Sequence, residues 1–322
     1  MATPQHGPAR YAAARVALVA ELLVYPEVRS LGQKAFGDLR KADLALRKAQ
    51  LLKLRDGEVD LELLFPPDDP EAASECSQTF ASDAYGLRRW ARQDSQDAGA
   101  AEEGLEGEGL GGLGQPAVVD VGANVGCWSI FAAKVMKAQV VAVEPSRHAA
   151  FYLACNVRLN RIEPQVTLMN VAMVPRDCTG QMQVFCNPGT SDVQGGSVLD
   201  MLHQSCNDDE DHDVVEGVDL ESLLEKTRSS THRLYLRMNC EGCEVWTLGE
   251  LGPGTLRGIA KISVEAFGHE PKHSVLLAHP APPRMLQLLC SDAVWPKEQR
   301  HVAPARLCSV KDVVTILNST GI

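Results

Sequence analysis

"VVDVGANVGCWSIFAAK", Val118 to Lys134, sets a short apolar run against a glycine-rich turn and then a helix-forming stretch. With Pro116 and Ala117 ahead of it, "PAVVDV" is too short for a helix and carries the continuous apolar character of a strand buried on both faces. From Val125 the spacing becomes helical, placing Val125, Trp128, Phe131, Ala132 and Val135 on one side. Between the two, Gly122 and Gly126 allow a tight reversal and let a ligand approach backbone without meeting a Cβ.

The alternation continues outward from that unit. "AQVVAVE" (138–144) repeats the strand signature, and "SRHAAFYLACNVRLN" (146–160) the helical one, with Ser146 placed to cap it. "QVTLMNVAMV" (165–174) and "QMQVFCN" (181–187) read as strands separated by the turn "PRDCTG". "DLESLLEK" (219–226) is a short helix; "HRLYLRMN" (232–239) and "IAKISVEAF" (259–267) are buried strands flanking the helical "CEVWTLGEL" (243–251). Strand and helix in strict alternation predict an α/β fold: a Rossmann-like, doubly wound, mainly parallel sheet with helices on both faces.

In such a sheet the ligand sits beyond the carboxyl ends of the strands, at the switch point beside the first one. Asp120 ends that strand with a carboxylate able to accept from an amine or hydroxyl. Glu144 ends the next, twenty-four residues on, where an acid can accept both hydroxyls of an adenosine ribose. A dinucleotide site would need G-x-G-x-x-G and a helix N-terminus facing pyrophosphate. Here Gly122 and Gly126 enclose Ala123, Asn124 and Val125, so the middle glycine is missing. A sulfonium nucleoside carries no phosphate, and S-adenosyl-L-methionine fits the pattern better than a dinucleotide.

The stretch Val118 to Asn160 resembles the start of an FkbM-type methyltransferase domain. The likeness continues through "VTLMNVAMV", "VVEGVDLESLLE", "LYLRMNCEGCEVWTLGEL" and "ISVEAFGH", covering residues 116 to 269 in consistent order. The glycine turn marks any class I methyltransferase; the Glu-Gly-x-Glu segment after the late strand narrows it to this type. The resemblance implies a methyltransferase with S-adenosylmethionine as cofactor and, usually, O-methylation of a small hydroxylated acceptor. By position, Asp120, Gly122, Ala123, Asn124, Gly126 and Glu144 would bind the cofactor, with Asn170 and Ala172 along its adenine side. One departure stands out. Where the pattern has Lys-Ile-Asp, this chain has Arg237, Met238 and Asn239, and an amide cannot take up a proton as a carboxylate would. A protein that keeps the fold as a binding or scaffold module without turnover is therefore the alternative reading.

A hydroxyl acceptor profits from a general base, and Glu241, Glu265 and His269 lie on the rim of the sheet where one is needed. Capping of the next helix is an equal account of Glu241, and a plain surface position an equal account of His269. Cys240 and Cys243 form a C-x-x-C, yet no second ligand pair accompanies it, so no metal is expected. The acidic run Asn207 to Asp213 lacks EF-hand spacing and reads as a solvated loop.

The bulk composition bounds the rest. With 322 residues, 45% hydrophobic and 23% charged, the chain has the make-up of a soluble globular protein. A net charge of -11 speaks against nucleic acid or an anionic membrane as partner and leaves a small-molecule acceptor. Ten scattered cysteines in a long chain read as reduced thiols in a reducing, cytoplasmic compartment, with organelle import left open by Arg10 and Arg15 in an acid-free leader. No apolar run approaches the ~20 residues of a membrane span. Residues 1–98 read as a mainly helical region, 99–115 ("GLEGEGLGGLGQ" at its core) as a flexible linker, and 116–322 as the methyltransferase domain. Oligomeric state has no signature here.

Overall fold

The computed structural model describes residues 21–56, 59–67, 115–186, 212–228, 233–240, 250–266 and 273–278, together with isolated positions between 69 and 80 and between 243 and 248. In chain order the elements are α1 (Pro26–Phe36), α2 (Leu39–Lys48), β1 (Gln50–Asp56), β2 (Val59–Phe65), β3 (Ala117–Val121), α3 (Cys127–Val135), β4 (Gln139–Val143), α4 (Arg147–Leu159), β5 (Val166–Met169), β6 (Ala172–Met173), β7 (Met182–Cys186), β8 (His212–Val218), α5 (Leu220–Arg228), β9 (Leu234–Met238), α6 (Pro253–Arg257), β10 (Lys261–Ala266) and β11 (His273–Ala278). The main sheet runs β11-β10-β9-β3-β4-β5. All its pairs are parallel except the edge strand β11, which runs antiparallel to β10. This is the doubly wound, mainly parallel α/β sheet expected from the sequence. A small second sheet holds β6 and β7 on either side of β8.

The two faces of the sheet explain the apolar runs. Every residue of β3 and of β9 is buried. Val119, Val121, Leu234 and Leu236 pack with Leu220, Leu224 and Leu256 from α5 and α6 on one face. Val118, Tyr235 and Val140 pack with α3 and α4 on the other. Alternate residues of one strand thus enter opposite cores, which is why no polar alternation shows in the sequence.

The second core continues into the N-terminal stretch. Val28, Leu31, Leu46, Leu61, Leu63 and Phe65 share it with Ile130, Phe131, Phe151 and Leu153. That stretch, read as helical, also contains the antiparallel hairpin β1–β2, with Leu54 opposite Leu61. The outer edge of β2 is closed by side chains. Asn156 accepts from the Leu64 amide (2.6 Å) and donates to its carbonyl (3.0 Å), while Asn160 accepts from the Glu62 amide (3.2 Å) and donates to its carbonyl (2.6 Å). Lys134 donates to the Asp60 carbonyl (2.7 Å). Two asparagines one helical turn apart match alternate residues of an extended strand, so α4 stands in for a third strand and satisfies groups that would otherwise be buried unpaired. This coverage explains a deviation in α3. The apolar stripe from Val125 to Val135 is only part of its buried surface, because Ile130 and Ala133, off that stripe, are buried as well.

Cysteines differ from the sequence reading. Cys76 is joined to Cys127 and Cys240 to Cys243, whereas Cys155 and Cys178 are free thiols. Among the described residues, four cysteines read as reduced are therefore paired, which spacing alone does not reveal. Linker residues 99–114 lie outside the described part of the chain. Among the described residues, no helix is long and apolar enough to cross a membrane.

Candidate functional site

Strand order reverses on either side of β3, so the crevice of the fold opens at its carboxyl end. There the chain leaves Val121 into Gly122 (φ 75°), passes Asn124 (φ 50°) and enters α3 through Gly126 (φ 90°). The amides of Gly122 and Ala123 both donate to the Val143 carbonyl at 3.0 Å, tying the loop to the tip of β4. The glycines answer to packing as well as to turning. A Cβ on Gly122 would lie 1.9 Å from the Asn239 carbonyl oxygen, and one on Gly126 would lie 2.2 Å from Leu153 Cδ1. The neighbouring loop and α4, respectively, occupy the space where those side chains would be.

Asp120 is 1% exposed. Its Oδ2 accepts from Ser129 Oγ (2.6 Å) on α3 and its Oδ1 from Arg237 Nη1 (3.0 Å) on β9. The same Arg237 nitrogen donates to the Gly122 carbonyl at 2.9 Å. Asp120 and Arg237 are register partners on adjacent strands, so their side chains share a face. Asp120 therefore serves as the anchor of the loop, its oxygens engaged by protein donors. Sequence reasoning gave it a ligand to hold and missed Ser129 and Arg237; the Arg237 side chain would have been legible only from knowing which strand adjoins β3.

Glu144 presents a different environment. It is 6% exposed, with Oε2 accepting from the Asn124 amide and Oε1 from the Ser146 amide, both at 2.8 Å. Burial pushes its carboxyl up to about 7, against the pull of those two amides and with help from Asp120 and Asp213. A carboxylate poised near neutrality at the tip of the second strand is held open by backbone donors, and each oxygen keeps a lone pair for a hydroxyl. Asn170 pins the same corner, donating to the carbonyls of Glu144 and Pro145 at 2.9 Å each. Ala172 is fully buried; its methyl packs with Val174 and Val215 in the core of the small sheet, and its backbone pairs with Gly217. Asp213, at the end of the acidic run, accepts from the Arg147 amide at 2.7 Å and so caps α4.

Seven of the eight cofactor candidates thus lie at or beside the glycine loop, at the carboxyl ends of β3, β4 and β5, whereas Ala172 is packed into the small sheet. Of the catalytic candidates, Glu265 lies near the end of β10, opposite Ser274. That end is on the same rim, because β10 runs parallel to β9 and β9 to β3. Glu241 and His269 lie outside the described residues. Asn239 was not foreseen as a contact. Its amide donates to Val121 O (2.9 Å), yet its Oδ1 is buried and, among the described residues, has no hydrogen-bond partner. A buried, unpaired acceptor costs free energy unless something fills it. The backbone carbonyl of Asn239 lies against Gly122.

Residues 113–192 match the model of the TRM5/TYW2 methyltransferase domain. That segment is similar to a methyltransferase domain that uses S-adenosylmethionine. All eight cofactor candidates fall inside the matched segment, while Glu241, Glu265 and His269 fall beyond it. The match supports the general class and does not extend to the FkbM type. A search among curated proteins found no match. A solved structure from Pyrococcus horikoshii, described as a transferase, is 18% identical with a TM-score of 0.21, over 37% of this chain and 36% of its own. Little more than a third of either chain is aligned, and that likeness carries no further argument.

Proposed function

We propose that this methyltransferase transfers its methyl group to the oxygen of a small hydroxylated acceptor, as the FkbM-like segments after β9 suggest. The observation that carries the site is the pairing of an ionisable, amide-held Glu144 with the orphan Asn239 Oδ1 on opposite sides of one glycine loop. Glu144 would receive the ribose hydroxyls, Asn239 Oδ1 an N–H or O–H of a bound reactant, and the Asp120–Arg237 pair would keep the loop in place. Bound there, S-adenosylmethionine supplies an electrophilic methyl group on sulfur. The chain's task is to align the acceptor oxygen behind that methyl and to exclude water. Glu241, Glu265 and His269 are the candidates to take the acceptor's proton.

The TRM5/TYW2 family acts on RNA bases, which makes RNA the second reading of the acceptor. A chain charge of -11 opposes phosphate-backbone binding and favours the small molecule. Incubation with methyl-labelled donor and either a metabolite extract or total RNA separates the two. Label in a small organic product supports the proposal, label in RNA replaces it, and binding of S-adenosylhomocysteine without any turnover assigns the chain a scaffold role.

A further inference from the structure

We propose that Cys240–Cys243 is a thiol–disulfide exchange site, reduced by a small dithiol, which sets how firmly the glycine loop holds the methyl donor; this rests on the donor site described above. The disulfide lies just past the tip of β9 and closes a loop of sequence separation 3. The backbone that carries it presses on the donor loop. A Cβ on Gly122 would meet the Asn239 carbonyl at 1.9 Å and Cys240 Cα at 3.2 Å. The residue before the disulfide, Asn239, bears the buried acceptor that no described residue fills. Anything that moves Cys240 therefore moves both the wall behind Gly122 and the orphan oxygen.

The second disulfide, Cys76–Cys127, has a different character. It spans 51 residues and fastens the N-terminal stretch to the first residue of α3. Linking distant segments restrains the unfolded chain strongly, whereas linking residues three apart restrains it little. The short pair thus contributes less to holding the fold than the long one, and its effect on conformation centres on the loop it borders. Cys240 is 9% exposed and Cys243 fully buried, so of the two sulfurs that of Cys240 would take the incoming thiolate's attack. That attack breaks the S–S bond, forms a mixed disulfide and releases Cys243 as thiolate. The reagent's second thiol then displaces Cys240, leaving the reagent as a cyclic disulfide and its two protons on the protein thiols.

The test is titration of the full chain with S-adenosylhomocysteine before and after dithiothreitol, with alkylation mass spectrometry reporting which cysteines open. Reduction of Cys240 and Cys243 should weaken binding at least tenfold without change in far-ultraviolet circular dichroism, and reoxidation should restore it. The Cys240→Ser/Cys243→Ser variant should bind weakly and ignore the reductant, while Cys76→Ser/Cys127→Ser should stay sensitive; should that variant fail to fold, the alkylation map on the wild type makes the same distinction. Equal affinity in both states, or a response that persists without Cys240 and Cys243, overturns the switch and leaves the donor site standing. No binding in either state removes the donor reading and this proposal with it.

Discussion

Titration of Glu144 should control donor affinity, and the structure fixes both the direction and the size. Burial holds its carboxyl at about 7, from an ordinary 4.5, while the Asn124 and Ser146 amides pull the other way. Ribose hydroxyls donate hydrogen bonds, and the ionised carboxylate is the better acceptor for them. Protonated enzyme must therefore lose its proton to bind. Affinity should be flat above neutrality and fall about tenfold for each pH unit below 7, or about 1.4 kcal/mol per unit. At pH 6 close to one proton should be released per ligand bound. Calorimetry with S-adenosylhomocysteine in buffers of different ionisation enthalpy measures both quantities. Glu144→Gln should lose about 1.5–3 kcal/mol of affinity at pH 8 and show no slope. Stability of the free protein runs the opposite way, because burial favours the protonated carboxyl. That contribution is intact below pH 4.5 and is lost as pH rises through about 7, amounting to about 3 kcal/mol. A wild-type affinity that stays level from pH 5.5 to 8, or a slope retained in Glu144→Gln, would refute the assignment.

Other outcomes follow from the packing. Gly122→Ala meets the Asn239 carbonyl as well as an unfavourable φ of 75°, and should abolish donor binding; Gly37→Ala, with open space around it, should lose only about 1–2 kcal/mol in urea melts and bind normally. Asn156→Ala strips partners from both polar groups of Leu64 and from the Val125 carbonyl, and should cost about 3 kcal/mol or more in the same melts. Opening Cys76–Cys127 should cost up to about 4 kcal/mol, against about 2 for Cys240–Cys243, read as the difference in melting temperature between the two double serine variants. Asn239→Asp should place another carboxylate beside the loop and move the Glu144-linked binding profile toward higher pH; an unmoved profile would show that the two do not interact.

The sheet was legible because parallel strands buried on both faces leave an unmistakable apolar run, and β3 and β9 are buried at every position. The glycine loop and Glu144 were legible because chain direction alone puts them at one end of adjacent strands. What sequence could not supply was anything depending on which segments meet across long separations. The hairpin is hidden because its edge is completed by Asn156 and Asn160, residues 92 and 98 positions away from their partners. The disulfide from Cys76 to Cys127 is hidden for the same reason. The ion partner of Asp120, Arg237, is hidden too, because it arrives from a strand 117 residues later.

Those distant contacts bear on the donor site and not on the fold alone. Asn156 joins the hairpin to the loop, since the same amide nitrogen that meets Leu64 also donates to Val125 O at 2.8 Å. Cys127 follows Gly126 directly, so its bond to Cys76 fastens the N-terminal stretch to the exit of the loop. Arg237 fastens the entry, through Asp120 and the Gly122 carbonyl. Loop entry and exit are thus each held by a segment outside the β3–α3 unit. In this arrangement Arg237 offsets the charge of Asp120 and an amide at 239 adds none, so among the described residues around the loop Glu144 is the carboxyl held near neutrality and able to respond to a bound nucleoside.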